Sequence, residues 1–345
     1  MRRKSETVLL LVFTALPVAA GPTGFDRTAL NQTIASFEEG FGESAAVIYE
    51  PQSGRIEYAY NRALSYTQTF SPGSLLKVFS ALYLLDHPDE FDFRPSAPIR
   101  CTGRFYIPDQ FELRGYEESI FNIRRDELGR SYLACNRIHG PVNLKEAIAQ
   151  SCNSYFLTQA AKNPRLLYES LDRIWDMNGG SHFRINGFRE NSAHSKRGGG
   201  ILQMAASSIG EGGLFRVTPL KVAQMFGAVW MDTPLLSPFE SRGVPPLMVK
   251  QKEVSGTNLA LLHSALNGAL HYGTLHKLKC DNPRITLLGG KTGSGTHVDR
   301  KFITHAWNAI FFSRDGERYV LVTFVRKGAG AREAGELSRR ILNAL

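Results

Sequence analysis

Phe70-Ser71-Pro72-Gly73-Ser74-Leu75-Leu76-Lys77 is the stretch on which the fold of this chain turns. Pro72 and Gly73 break whatever precedes them, and Leu75, Val78, Phe79, Leu82 and Leu85 then follow helical spacing. A largely buried helix is therefore expected to begin near Ser74. Ser74 and Lys77 stand three apart on it, where Cβ atoms are ~5–6 Å from one another, so the amine reaches the hydroxyl. Burial lowers an ammonium's pKa until the amine can accept a proton, which turns a weak alcohol into a nucleophile. The first turn of a helix also offers unpaired N–H groups to a reacting carbonyl. Read alone, Ser-x-x-Lys is equally a helix cap followed by a solvated lysine; its weight depends on what accompanies it.

Two further motifs lie downstream. Ser151-Cys152-Asn153 is the only Ser-x-Asn in the chain and falls where one helix stops and another starts, a bend that can aim a hydroxyl and an amide into one cleft; Asn153 is equally placed to be a cap. Lys291-Thr292-Gly293 ends a strand that begins near Ile285. Successive residues of a regular strand face opposite sides, and Gly293 lets a ligand approach the backbone.

The surrounding pattern supplies the architecture. Period-two apolar runs at Ala45–Tyr49 and Ile56–Tyr60 flank the turn Pro51-Gln52-Ser53-Gly54, and three more strands are expected at Ile285–Gly290, Ala306–Phe312 and Tyr319–Val325, the last two joined at Ser313-Arg314-Asp315-Gly316. Between the two groups the periodicity is helical. Asn143 with Glu146 reads as a capping box before Leu144–Gln150, Thr218-Pro219 as a cap and first turn before Leu220–Trp230, and 258–271 and 331–345 as amphipathic helices. Loops are expected over 178–200 and 231–246. The fold class is α+β: one antiparallel sheet made by N- and C-terminal strands, helices on its faces, and an inserted all-helical lobe.

Lys and Arg number 41 against 32 Asp and Glu, a net +9. The excess is local: residues 250–345 hold 15 basic and 7 acidic side chains, and Arg2, Arg3 and Lys4 precede an apolar run from Val8 to Ala20. That run is shorter than the ~20 residues of a bilayer span and ends in small residues, so residues 1–20 read as a cleaved export signal, with an uncleaved anchor as the alternative. Residues 21–44 read as a lead-in helix and 45–345 as the working domain. Nucleic acid is not an expected partner. The four cysteines, Cys101, Cys135, Cys152 and Cys280, match no zinc spacing and no His-Glu-x-x-His is present, so no metal and no cofactor are expected; either Cys101 bonds Cys135 or all four are free thiols.

Taken together and in this order, the three motifs resemble those of the penicillin-binding protein transpeptidase domain, a serine acyltransferase family related to the serine β-lactamases. Phe70-Ser71-Pro72-Gly73, His139-Gly140, Ser208-Ile209-Gly210-Glu211-Gly212, Val217-Thr218-Pro219-Leu220 and His305-Ala306-Trp307 extend the resemblance from about Ala45 to the C-terminus. It implies a β-lactamase/transpeptidase-like fold and a D,D-transpeptidase that cross-links peptidoglycan stem peptides and is acylated by β-lactams. In that reading Ser74 is the nucleophile, with Lys77, alone or through Ser151, as proton acceptor. Ser151 relays a proton to the leaving amine and Asn153 holds the acyl-side amide. Lys291, Thr292, Gly293 and Ser294 line the carboxylate end, with the Ser74 and Ser294 N–H groups as oxyanion hole. Glu211 stands where the family more often has Gln and is read as a surface residue. No Glu-x-x-Leu-Asn loop of the class A type is present, and class D enzymes usually end the second motif in Val rather than Asn. A carboxypeptidase, endopeptidase or β-lactamase of the same fold, and a non-catalytic sensor or scaffold, remain the alternatives. The short lead-in implies that the wall or a partner protein positions the domain outside the cytoplasm, in the periplasm or at the cell surface.

Overall fold

A computed structural model of the 345-residue chain describes residues 24–111, 123–175, 184–185, 188–189, 193–195, 199–233, 235–240, 248–250, 256–296 and 303–345. The segment read as an export signal lies outside them, as does most of the expected loop 178–200; the described parts of the two expected loops include the short strands Arg184–Ile185, Phe188–Arg189, Ala193–Ser195 and Leu235–Leu236.

Five antiparallel strands form the central sheet, in the order Ile285–Thr296, Thr304–Arg314, Glu317–Val325, Ser44–Glu50, Arg55–Tyr60. The two ends of the chain thus share one sheet, with Ala45 opposite Phe324 and Gly293 opposite Trp307. Arg314 and Glu317 are joined by a two-residue turn whose Asp315 and Gly316 both have positive φ, the geometry that matches strand twist and favours Asp-Gly.

Every residue of Ser44–Glu50 is buried. The reason is that both faces of the sheet are covered. Val47, Tyr49, Trp307, Phe311 and Phe324 pack into the core shared with the inserted lobe. Ala46, Ile48, Ile310, Phe312 and Leu321 point the other way, under the helices Arg27–Phe41 and Gly335–Ala344, with Ile34, Phe37, Leu337 and Ile341 as their contacts. Period-two alternation therefore sorts these side chains between two cores and not between core and solvent.

The lobe inserted between Tyr60 and Ile285 is built on Lys77–Asp86, nine of whose ten residues are buried. Leu144–Ala149 carries the full Asn143/Glu146 capping box, and Pro219–Met231 starts behind a Thr218 cap. The lobe is not all helix. Ile99–Cys101 pairs with Gly140–Val142, and Arg104–Tyr106, Ser131–Ala134 and Ile123–Arg125 form a small sheet beside them. These elements are three or four residues long and carry exposed Arg100, Arg104, Arg124 and Arg125, too short and too charged for a periodicity to show. Among the described residues no helix is long and apolar enough to cross a membrane.

Candidate active site

Ser74 sits in a 3-10 turn, Gly73–Leu76, and the α-helix begins at Lys77. The helix expected from Ser74 is therefore entered through a tighter turn, in which residues i and i+3 eclipse, so Ser74 and Lys77 lie on one side of it. Gly73 has φ +52°, and a Cβ on it would collide with the backbone of Ser294; a Cβ on Gly293 would come within 2.7 Å of Pro72 O. The two glycines let the Ser74 turn and the strand Ile285–Thr296 meet backbone to backbone. Trp307 Nε1 donates to Ser71 O at 2.9 Å and Ser71 Oγ to Gly210 O at 2.8 Å, which clamps the turn from two further elements.

The three motifs converge on one hydroxyl. Lys77 Nζ donates to Ser151 O at 2.7 Å, Ser151 Oγ at 3.2 Å and Asn153 Oδ1 at 2.6 Å. Lys291 Nζ donates to the same Ser151 Oγ at 2.8 Å and to Thr292 O at 2.8 Å. None of these bonds reaches Ser74; the lysine expected to hold the Ser74 hydroxyl is held instead by the second motif. Ser151 has φ +58°, a left-handed conformation uncommon outside glycine. Asn153 Nδ2 donates to Ala134 O at 2.9 Å. Thr292 Oγ1 donates to Thr274 Oγ1 at 2.8 Å. Ser294 Oγ accepts from the Gly330 N–H at 3.1 Å, so its hydroxyl is engaged with the chain after the last strand.

Both lysines are fully buried. Loss of water pulls Lys77 down to about 8, with the nearby cysteines and Glu211 pulling back. Lys291 falls well below its ordinary value, first through burial and then through repulsion by Lys77. Glu211 is not a surface residue: it is partly enclosed, accepts from Thr296 Oγ1 at 2.8 Å, and burial raises its carboxyl to about 7.

Behind the second motif the structure gathers donors that sequence spacing did not bring together. Cys101, Cys135 and Cys152 are free thiols, so the Cys101–Cys135 disulfide is not formed. Their sulfurs and a ring nitrogen of His139 all lie within 4.8 Å of one another. Cys135-x-x-x-His139 was the local signal; Cys101, far upstream, and Cys152, inside the second motif, complete the group only in the folded chain.

A doubly covered antiparallel sheet, with a serine–lysine turn packed against its edge strand, defines the transpeptidase-type α+β fold. The chain belongs to the penicillin-binding protein transpeptidase domain family, whose model matches residues 122–345. Ser74 and Lys77 precede that stretch. Solved structures extend the fold over them. The transpeptidase domain of Burkholderia pseudomallei penicillin-binding protein 3 is 18% identical with a TM-score of 0.70, covering 92% of this chain and 91% of that one. Pseudomonas aeruginosa PBP2 in complex with WCK 5153 is 19% identical with a TM-score of 0.68, covering 91% of this chain and 76% of that one. Helicobacter pylori PBP2, solved with MreC, is 16% identical with a TM-score of 0.71; 91% of this chain matches 62% of that one. A chain described with a peptidoglycan synthase complex is matched over 60% of its length. No curated protein matches.

Proposed function

We propose that this chain is an exported serine D,D-transpeptidase that cross-links peptidoglycan stem peptides through a Ser74 acyl-enzyme. The observation that carries the reading is the meeting of Lys77, Lys291 and Asn153 around Ser151, with Ser74 one turn before Lys77. Ser74 Oγ attacks the carbonyl of the penultimate D-Ala, and its proton passes to Lys77, a fraction of which is neutral near pH 7 because its pKa is about 8. The Ser74 and Ser294 N–H groups face the oxyanion. Ser151, bonded to both lysines, passes a proton to the departing D-Ala amine. Lys291 and Thr292 receive the terminal carboxylate, whose charge replaces the water Lys291 has lost and restores its ammonium form. An amine from a neighbouring stem then takes the acyl group. The strand Ile285–Thr296 is a sheet edge, so an extended peptide can add beside it.

Export to the periplasm or cell surface fits the basic-apolar start at Arg2–Ala20. A wall-associated partner protein fits the company of the H. pylori relative, which was solved with MreC.

Intact-mass spectrometry of protein lacking residues 1–20 after exposure to benzylpenicillin tests the assignment. A single penicilloyl adduct, absent from Ser74→Ala and stable for many minutes, is expected. No adduct on the parent, or an equal one on Ser74→Ala, overturns it; release within seconds makes the chain a β-lactamase. A donor pentapeptide with and without an acceptor amine separates cross-linking from hydrolysis.

A further inference from the structure

Cys101 ends the strand Ile99–Cys101, Cys135 follows Ser131–Ala134, His139 precedes Gly140–Val142, and Cys152 caps the helix Asn153–Ala160. Cys101 Sγ lies 3.4 Å and Cys135 Sγ 3.6 Å from His139 Nδ1, and Cys135 Sγ lies 3.9 Å from Cys152 Sγ. Four donors on one tetrahedral zinc, with Zn–S near 2.3 Å and Zn–N near 2.05 Å, are separated by ~3.8 Å between sulfurs and ~3.5 Å from sulfur to nitrogen. Three of the six edges match such a tetrahedron, and the other three are no longer than 4.8 Å. They are far from a disulfide, whose sulfurs are ~2.05 Å apart. His139 Nε2 is buried without a protein partner, so the ring is oriented from its Nδ1 side alone, toward the sulfurs.

We propose that Cys101, Cys135, His139 and Cys152 bind one structural zinc ion that fixes the Ser151–Asn153 bend. Three thiols and one imidazole fill all four positions, so the ion keeps no open site for water or substrate. Binding exchanges three S–H bonds for three Zn–S bonds and releases the protons to solvent; no electron is transferred.

The consequence for the site follows from where Cys152 stands. It is the middle residue of the second motif, and the Asn153 N–H donates to Cys135 Sγ at 3.1 Å. Zinc ties that motif to both small sheets of the lobe, holding Ser151 in its left-handed conformation under the two lysines. Zinc with three thiolates and a neutral imidazole also carries one net negative charge near the buried Lys77, which has the part-enclosed Glu211 as a further acidic neighbour. The metal's presence does not depend on the acyl-transfer reading; its effect on Ser151 and Asn153 does.

The test uses the full chain purified without chelator. Elemental analysis is expected to find one zinc per chain in the parent and in Cys280→Ser, and none in Cys135→Ser or His139→Ala. Cobalt(II) replacing zinc in the parent is expected to give thiolate charge-transfer bands and the intense visible bands of a tetrahedral site, a readout that holds even where a variant does not fold. Stripping zinc under reducing conditions is expected to lower the unfolding temperature and slow benzylpenicillin acylation roughly tenfold or more, both restored by zinc. Absence of stoichiometric zinc together with a featureless cobalt spectrum overturns the site, as does a Cys135–Cys152 disulfide in the mass map of the native protein. Stoichiometric zinc whose removal leaves acylation unchanged overturns the effect on the motif. Zinc without acylation in either form leaves the metal site standing and overturns the proposed function instead.

Discussion

Raising the pH from 7 to 9 is expected to speed acylation of Ser74 about tenfold. Lys77 is fully buried and its pKa is held at about 8. A base with that value is ~10% neutral at pH 7 and ~90% neutral at pH 9, whereas a lysine at its ordinary value of ~10.4 would be well under 0.1% neutral at pH 7. Only the neutral amine accepts the Ser74 proton, so the rate climbs through pH 8 and levels above it. The same shift has a stability sign. Folding lowers this pKa below its unfolded value, so the unfolded chain binds the extra proton between pH 8 and 10.5; the burial penalty, about 3 kcal/mol, is full below pH 8 and fades as pH rises to 10.5. Lys77→Met removes that penalty together with three hydrogen bonds of roughly 1.5–3 kcal/mol each to a charged donor, a net loss of roughly 1.5–6 kcal/mol, and is expected to lower the acylation rate of the folded fraction by ~10²–10⁴. The assay is the second-order rate of labelling by a fluorescent penicillin from pH 6 to 10, by stopped flow. A rate that rises undiminished to pH 10, or one already at its plateau at pH 6, refutes the assignment of Lys77 as a burial-tuned base.

Two other substitutions probe the frame around that base. Gly73→Ala forces a Cβ onto the Ser294 backbone at φ +52° and is expected to cost at least ~2–3 kcal/mol, against ~1 kcal/mol for Gly129→Ala, which has φ +76° but open space around it; equal losses in thermal unfolding would show that the backbone contact carries no weight. Glu211 has a folded pKa of about 7, raised by burial, so its contribution is full below its unfolded value and lost as pH rises through 7. Glu211→Gln is therefore expected to leave stability unchanged near pH 4 and raise it by roughly 1–3 kcal/mol at pH 8; no difference between the two pH values would sink that account.

The sheet was legible because its signals are local: apolar runs, a Pro-to-Gly turn at 51–54 and an Asp-Gly hairpin at 315–316 each report within a few residues. What those runs could not reveal is that both faces are covered, since Arg27–Phe41 and Gly335–Ala344 reach the sheet from opposite ends of the chain. The same limit explains the start of the serine helix. A 3-10 turn over Gly73–Leu76 answers to the strand 285–296 pressing on Gly73, a contact made more than two hundred residues away. Glu211 looked like a surface charge because a carboxylate in a glycine-rich stretch ordinarily is one; its partner Thr296 lies at the end of that same strand, eighty-five residues on. Cys101 and Cys135 suggested a pair when read along the chain, but the short strands between 99 and 142 turn them toward His139 and Cys152.

These tertiary contacts meet at Ser151. Its φ of +58° suits glycine better than serine, and a non-glycine residue there costs on the order of 1 kcal/mol. Glycine would relieve the strain and delete the hydroxyl to which both lysines are bonded. The strained conformation is also the one that turns the Ser151 carbonyl toward Lys77, so a single residue gives the buried amine two of its three acceptors. Those acceptors stand in for water that each buried lysine has lost, and the lysines in turn bond to the residue that holds the left-handed conformation. Strain at residue 151, burial of Lys77 and burial of Lys291 are thus three aspects of one arrangement. It is anchored on one side by Asn153 bonded to Ala134 and on the other by the strand that presents Lys291 and packs against Gly73. The chemistry assigned to Ser74 depends on that arrangement, although none of its hydrogen bonds touches Ser74 before substrate arrives.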